Sequence, residues 1–247
     1  MTSTRGSATP MAMAETALKG QAAVLAGRPR YVERFTLTER VLHWVHAAAF
    51  FVLLGSGLVR YLPALSSAVG RRPLIKDVHL WTGISWAGAI VLIVLLGNRA
   101  ALRRTLREVD VFDRDDRRFL RGRLNSPQGR FNAGQKVNVI VTAAFATLFF
   151  VSGLLLWLGE RNTSIRLGGT LYLHDALMYL SIVIVVGHLY LALINRGTRH
   201  ALRGMTLGTV REDWARAHHS KWVPPGGGGG GDDARSASSD ADHLPAA

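Results

Sequence analysis

Residues 171–194 read LYLHDALMYLSIVIVVGHLYLALI, and this stretch decides the fold class of the chain. The stretch contains two histidines, and Asp175 is its only acidic residue. A helix of about 20 residues crosses a bilayer core that is roughly 30 Å thick, so the stretch is long enough to span a membrane. A helix on the surface of a soluble protein would keep a polar stripe, which this stretch lacks. We therefore predict a transmembrane helix here.

Three further stretches have the same length and apolar character. They are Val41–Val59, His79–Gly97 and Val137–Leu158. Four spans predict an all-α integral membrane protein, built as a bundle of four transmembrane helices.

The two ends of the chain differ from this apolar core. Residues 1–30 mix small residues with scattered charge and lack the apolar segment of a signal peptide, so we expect a flexible tail. Residues 224–247 include six consecutive glycines followed by small polar residues, and we expect this tail to be disordered. The remaining residues, 31–223, are predicted to form one membrane domain.

Thirty lysines and arginines stand against seventeen acids, for a formal net charge of +13. Such an excess is often a sign of nucleic-acid binding, but here the cations flank the predicted spans. Segments 1–40, 98–136 and 195–225 carry twenty-three of them, whereas connections 60–78 and 159–170 carry six. The positive-inside rule then predicts cytoplasmic termini, a cytoplasmic 98–136 segment and no nucleic-acid partner. We expect membrane lipid to surround the four spans.

The long connection 98–136 admits two interpretations. We expect a solvated loop whose charge reflects membrane orientation. Its stretch DVFDRDDRRF (110–119) could alternatively form a short amphipathic helix on the membrane surface.

The chain has no cysteine. This excludes a disulfide framework, a cysteine-ligated iron–sulfur cluster, covalent attachment of c-type haem and a thiol nucleophile. Any metal held in the membrane must therefore be bound by other side chains.

Five of the nine histidines fall within the predicted spans. They are His43, His46, His79, His174 and His188. Ionisable residues are unfavourable inside a bilayer and usually have a function there. In a chain without thiols, metal coordination through neutral imidazole is the clearest such function.

Spacing and topology predict how four of these histidines pair. His174 and His188 lie on one helix, about 21 Å apart along its axis and within roughly 40° of one face. Alternating span directions place His43 at the depth of His188 and His79 at the depth of His174. Two bis-histidine sites, one near each membrane surface, suit two stacked haems.

Four other polar or small residues in the spans each admit two roles. His46 lacks an evident partner and would contact a haem propionate or pack near the interface. Asp175 would orient a ligand or simply begin its helix near the headgroups. Gly57 and Gly83 would make room for a flat macrocycle or permit close helix packing.

Several motifs resemble the gamma subunit of respiratory formate dehydrogenase, a di-haem cytochrome b related to prokaryotic cytochrome b561. The resemblance covers residues 31–223 and rests on the motifs ERVLHWVH (39–46), KDVHLWTG (76–83), RFNAGQK (130–136), LYLHDALMY (171–179), VVGHLYLAL (185–193) and RGMTLGTVREDWARAHHSKW (203–222).

The resemblance implies two haem b groups, with the axial iron ligands matching His43, His188, His79 and His174. It also implies that quinone, the substrate, binds beside the inner haem at residues matching Asn132, Gly134 and Gln135. The implied partners are an iron–sulfur subunit and a molybdenum- or tungsten-containing catalytic subunit that oxidises formate. The implied location is the bacterial inner membrane, and the chain would carry electrons without a catalytic residue of its own.

Two rival interpretations remain. Within the same class, the chain would be the cytochrome b subunit of a nickel–iron hydrogenase or a stand-alone cytochrome b561. In another class, it would be a haem-free membrane anchor or a transporter whose histidines relay protons.

Overall fold

The computed structural model describes residues 29–223, so nearly all of the two predicted tails lies outside the described residues. The helices and strands are, in chain order, β1 (Tyr31–Glu33), α1 (Leu37–Tyr61), α2 (Pro63–Val69), α3 (Arg72–Leu96), α4 (Arg99–Asp110), α5 (Arg114–Leu120), α6 (Ala133–Arg161), α7 (Thr170–Leu189), α8 (Leu202–Leu207), β2 (Thr209–Arg211) and α9 (Glu212–His218). A π-helical turn continues α7 through Ile194.

Four helices, α1, α3, α6 and α7 with its π turn, are long and apolar enough to cross a membrane. Their large apolar side chains are exposed, with Leu96 at 82%, Val183 at 71% and Trp81 at 60%. Exposing apolar surface to water is unfavourable by about 25 cal/mol per Å², whereas lipid matches it. The four predicted spans are therefore confirmed as helices suited to a bilayer.

Helix α3 begins seven residues before the predicted span, at Arg72. The proline that follows Arg72 lies in the first turn, where its missing N–H leaves no intrahelical hydrogen bond unmade. His79 therefore lies two turns inside α3 rather than at its start.

The spans pack as two pairs. Helix α1 packs most extensively against α3, and α6 packs against α7. Between the two pairs, the main direct packing is between α3 and α6. Residues that reach across from one pair to the other therefore meet along the inside of the bundle.

The segments before α1, between α3 and α6, and after α7 fold into one unit, which we call the polar cap. It comprises β1, α4, α5, α8, β2 and α9 with their connections. Strand β1 pairs antiparallel with β2, with Val32 opposite Val210. This two-stranded sheet, which the sequence did not predict, is the exception to the all-helical fold among the described residues, and it holds the two described ends of the chain together.

The prediction that 98–136 is a solvated loop is wrong. The segment contains helices α4 and α5. Phe35, Val109 and Phe131 form a buried apolar cluster with Met205 against it, so the segment is anchored to both ends of the described chain. The alternative helix in 110–119 exists as α5, where Asp113 caps the first turn.

Gly208 makes the close approach between β2 and the residues before α1. Its φ of +84° lies in the left-handed region that favours glycine, and a Cβ there would lie 2.9 Å from the Phe35 carbonyl oxygen. Its carbonyl oxygen accepts hydrogen bonds from the backbone N–H groups of Arg34 and Phe35 at 2.7 and 3.1 Å.

A buried ion cluster joins α1 to the polar cap. Arg130, whose side chain is 3% exposed, lies 2.9 Å from Glu39 and 2.6 Å from Glu108. It also donates to Thr105 at 2.5 Å and to the Arg34 carbonyl oxygen at 2.9 Å. Burying a charge is unfavourable unless it is paired, so Arg130 and Glu39 depend on each other.

Removing the cation from this cluster should destabilise the fold. We expect Arg130→Met to lower the free energy of unfolding by about 3–5 kcal/mol, because Glu39 is left buried without its cation. Adding Glu39→Gln to Arg130→Met should restore part of the loss. Thermal unfolding in detergent measures the effect, with the exposed Arg104→Met as control. Equal melting temperatures for Arg130→Met and Arg104→Met would contradict this account.

Candidate functional site

Two histidine pairs bridge the two helical pairs inside the bundle. His79 on α3 faces His174 on α7, with ring centroids 6.2 Å apart, and we call these two the outer pair after the predicted topology. His43 on α1 faces His188 on α7, with ring centroids 6.3 Å apart, and we call these two the inner pair. Each histidine pair thus takes one residue from α1–α3 and one from α6–α7. These are the same two pairs that the comparison of depths in the membrane predicts from the sequence.

Both separations suit two imidazoles on opposite sides of one metal atom. An imidazole nitrogen binds a metal at about 2 Å, and its ring centre lies roughly 1.2 Å farther away, so two opposed ligands have centroids about 6.4 Å apart. Among residues 29–223, no group of three or more His, Cys, Asp or Glu side chains is placed to hold a metal ion. Two protein ligands are enough for haem, whose macrocycle supplies the other four.

The outer pair has matching serine contacts from the neighbouring helices. Ser56 Oγ on α1 lies 2.9 Å from His79 Nδ1, and Ser152 Oγ on α6 lies 2.8 Å from His174 Nδ1. Each hydroxyl also lies 2.7 Å from the backbone carbonyl oxygen four residues earlier, that of Val52 or Leu148. Each outer imidazole is therefore held through the nitrogen opposite to the one that a metal would use.

A glycine follows each of these serines and borders the histidine ring that the serine contacts. A Cβ at Gly57 would lie 3.5 Å from His79 Cε1, and a Cβ at Gly153 would lie 3.5 Å from His174 Cε1. A Cβ at Gly83, by contrast, would meet Leu53. Each of these distances is an ordinary van der Waals contact, so Gly57 and Gly153 line the outer imidazoles, whereas Gly83 lies against the neighbouring helix α1.

The inner pair has a different environment. His43 Nδ1 is buried and has no hydrogen-bond partner among the described residues. The His43 ring packs edge-on against Trp44, with centroids 5.1 Å apart. His46, for which no partner was evident, packs against Trp86 at 5.7 Å. The indole N–H of Trp86 is likewise buried and unpaired in the described part of the chain.

The residues predicted to bind quinone form the N-terminus of α6. Asn132 caps the helix through a hydrogen bond from Gln135 N, and Gln135 Oε1 accepts from Asn132 N in return. Gly134 is exposed, and a Cβ there would lie 3.8 Å from the Phe119 ring. This end of α6 is also the end that carries the inner pair, because the neighbouring Arg130 binds Glu39, one turn before His43.

Arg34 positions the Gln135 side chain. Its Nη2 donates to Gln135 Oε1 at 3.1 Å and to the Arg130 carbonyl oxygen at 2.7 Å. Burial is the main cause that lowers the pKa of Arg34 to about 9, and the positive charge of Arg130 is the second cause. Since Gln135 Oε1 is occupied, the amide N–H₂ group is the part of this side chain left to meet a ligand.

His219 closes the polar cap beside Arg34. Its side chain is fully buried, and its Nδ1 lies 2.6 Å from the Gly129 carbonyl oxygen. Lys221 reinforces the same junction through hydrogen bonds to the Gln128 carbonyl oxygen and to Asp113. Burial, followed by the charge of Arg34, lowers the pKa of His219 to about 3.

Sequence reasoning missed several of these residues. Ser56, Ser152 and Gly153 look like ordinary small residues of membrane helices, although the repeated Ser-Gly pair in spans 1 and 3 was a signal that comparing the two spans would have found. Arg34 and Arg130 were counted as charges that orient the chain, and no local pattern shows that they are buried.

Residues 34–208, most of the chain, match the family described as prokaryotic cytochrome b561. The chain belongs to this family. Membership implies haem b, and with the four apolar helices it makes the chain a multi-pass membrane protein involved in electron transport.

Three similar proteins are cytochrome b556 subunits of formate dehydrogenase. The chain is 27% identical over 199 residues to the cytochrome b556(fdo) subunit of formate dehydrogenase from Escherichia coli K12, covering 77% of this chain and 91% of the relative. It is 22% identical to the formate dehydrogenase cytochrome b556 subunit of Haemophilus influenzae, covering 74% and 78%. The nitrate-inducible b556(Fdn) subunit of E. coli K12 is 21% identical, covering 79% and 91%. The predicted resemblance to formate dehydrogenase gamma subunits is confirmed.

The buried His219 predicts how cap stability depends on pH. An unfolded histidine gains a proton below a pH of about 6.5, whereas the folded His219 does not until about pH 3, so stability falls as the pH drops between these values. The loss is about 1.4 kcal/mol per pH unit.

Melting temperatures of wild type and His219→Phe between pH 7 and pH 4 measure this effect. We expect the variant to lose the His219 part of the pH slope, while His218→Phe, which changes an exposed neighbour, keeps it. Parallel pH profiles for wild type and His219→Phe would show that the cap tolerates a charged His219.

Proposed function

We propose that this chain is the cytochrome b membrane subunit of a respiratory formate dehydrogenase. It holds two haem b groups and passes electrons from a partner iron–sulfur subunit to quinone. The observation that carries the proposal is the pair of cross-bundle histidine contacts, at 6.2 and 6.3 Å, separated by 14 residues of α7. The family match and the formate dehydrogenase relatives support it.

His79 and His174 would hold the outer haem, and His43 and His188 the inner one. Bound haem supplies a reversible one-electron carrier at each site. Two histidines at each site would leave a bound haem iron without an open coordination position, which would favour electron transfer over oxygen chemistry. The described residues thus support transport of electrons rather than formate chemistry.

The partners follow from what this chain lacks. The sequence offers no cysteine to ligate an iron–sulfur cluster, and in this proposal a separate iron–sulfur subunit would deliver electrons at the outer end of the bundle. Formate would be oxidised on a third subunit that contains molybdenum or tungsten. The relatives named as formate dehydrogenase subunits support this assignment of partners.

The quinone would bind where the inner pair approaches the polar cap. Asn132 and Gln135 offer amide groups that hydrogen-bond a quinone carbonyl, and the exposed Gly134 keeps the approach clear. Arg34 and the Asn132 N–H both donate to Gln135 Oε1, which leaves the Gln135 N–H₂ group available as a donor. A donor in that position matches a carbonyl acceptor.

The proposed orientation places the polar cap and both termini in the cytoplasm of a bacterium, with the four helices in the inner membrane. Twenty-three lysines and arginines in the segments of that end, against six at the other, support it through the positive-inside rule. Protons for quinone reduction would then come from the cytoplasm.

Co-purification tests the identity of the complex. An affinity-tagged chain, solubilised in mild detergent from its native host, should bring down an iron–sulfur protein and a molybdenum- or tungsten-containing dehydrogenase that reduces quinone with formate. Recovery of a nickel–iron hydrogenase instead would assign the chain to hydrogen oxidation. Recovery of the chain folded, alone and without haem absorption would support the anchor or transporter interpretation.

The inner haem assignment predicts a selective loss. We expect His188→Leu to remove the inner haem and to halve the haem content per chain, because one axial ligand is gone. The pyridine haemochrome assay measures the content, and His46→Leu, which changes an unassigned histidine of the same bundle, should keep both haems. Two full haems in His188→Leu would contradict the ligand assignment.

The quinone assignment predicts a change in turnover without loss of haem. We expect Gln135→Ala to slow formate-driven quinone reduction by roughly tenfold, because a hydrogen-bond donor to the substrate is lost. Gln135→Glu keeps the acceptor for Asn132 N and for Arg34 but removes the N–H₂ donor, so it should be slowed similarly. Wild-type turnover in Gln135→Glu would show that this donor does not bind quinone.

A further inference from the structure

Ser56 and Ser152 occupy equivalent places on the two helices that flank the outer histidine pair. Each belongs to a Ser-Gly pair, each is buried, and each contacts the Nδ1 atom of a different outer histidine. One serine contacting a buried histidine is a common way to satisfy a polar atom. Two, placed alike on α1 and α6, indicate a shared requirement of the site.

The hydrogen bonds determine which nitrogen carries the proton. A hydroxyl has one hydrogen, and a backbone carbonyl oxygen only accepts. Ser56 Oγ lies 2.7 Å from the Val52 carbonyl oxygen, so its hydrogen is donated there and its oxygen accepts from His79 Nδ1–H. Ser152 stands in the same relation to Leu148 and His174. Nε2 of each outer histidine is then left as the unprotonated, metal-binding nitrogen.

The two histidine pairs differ in this respect. His43 Nδ1 of the inner pair is buried and lacks a hydrogen-bond partner in the described residues. Donating the Nδ1 proton to an acceptor makes Nε2 a stronger electron donor to a metal. The outer imidazoles therefore bind an oxidised iron more strongly than His43 of the inner pair does.

We propose that Ser56 and Ser152 are positioning residues that lower the reduction potential of the outer haem relative to the inner haem. The inference rests on the proposed function, since it needs a haem at each histidine pair. The difference has the sign that favours delivery of an electron from the outer site to the inner one, with one electron lost at the first and gained at the second. No proton or ligand is exchanged in the step.

Optical redox titration of the purified wild-type complex and its serine variants tests the proposal. We expect Ser56→Ala and Ser152→Ala to keep both haems and to raise the midpoint potential of the outer haem only. The reduced-to-oxidised ratio at that haem should rise about tenfold at a fixed potential, which is about 59 mV for one electron. His188→Leu, which retains the outer haem, assigns the spectrum.

Two further variants separate this role from simple packing. Ser181→Ala removes a buried hydroxyl of α7 that donates to the Met178 carbonyl oxygen, and it should leave both potentials unchanged. Ser56→Thr keeps the hydroxyl and should keep the wild-type value. Selective loss of the outer haem in Ser56→Ala, with the inner haem retained, also supports the positioning role.

Some results would overturn the proposal. Unchanged potentials in both single variants and in the Ser56→Ala/Ser152→Ala double variant would show that the serines only satisfy buried imidazoles. Shifts of the same size in Ser181→Ala would show a general packing effect. A wild-type protein without two haems would instead overturn the proposed function, so the two failures are distinguishable.

Discussion

The arrangement of this bundle depends on imidazoles that face each other across two helical pairs. Histidine is unfavourable in lipid unless its nitrogens are satisfied, and here four of them meet in two contacts of 6.2 and 6.3 Å. The helical pairs α1–α3 and α6–α7 otherwise contact each other mainly through α3 and α6. Haem would therefore act as a structural link between the pairs as well as an electron carrier.

The polar cap connects this membrane site to chemistry at its surface. Arg130 ties α1, the α4 helix and the segment before α6 together through Glu39, Glu108 and Thr105. Because Glu39 lies one turn before His43, the same cluster places the Asn132–Gln135 helix cap at the inner-pair end. Arg130, one of the charges on which the predicted orientation rests, thus also builds the surroundings proposed for quinone.

Much of the membrane part could be predicted from the sequence, because lipid leaves the backbone few choices. Long apolar runs such as 171–194 had to be helices, and alternating directions then matched His43 with His188 and His79 with His174. Similar reasoning failed for the 98–136 segment. Its anchors, Val109 and Phe131, are isolated apolar residues, and they bury themselves against Phe35, which is far away in sequence.

The finer features of the site were not predictable for a related reason. Ser56 and Ser152 become informative only when their distances to His79 and His174 are known. The role of Arg34 likewise depends on its contact with Gln135, a residue 101 positions along the chain. Local patterns report periodicity and charge, whereas these contacts depend on which helices pack together.

The haem-to-chain ratio of the purified wild-type subunit tests the central claim most directly. The pyridine haemochrome assay, combined with quantitative amino-acid analysis, measures the ratio, and electron paramagnetic resonance of the oxidised protein reports the axial ligands. The account predicts two haem b groups per chain, both low-spin ferric species with bis-imidazole signals. A folded subunit with no haem, or with a single haem at full occupancy, would contradict it.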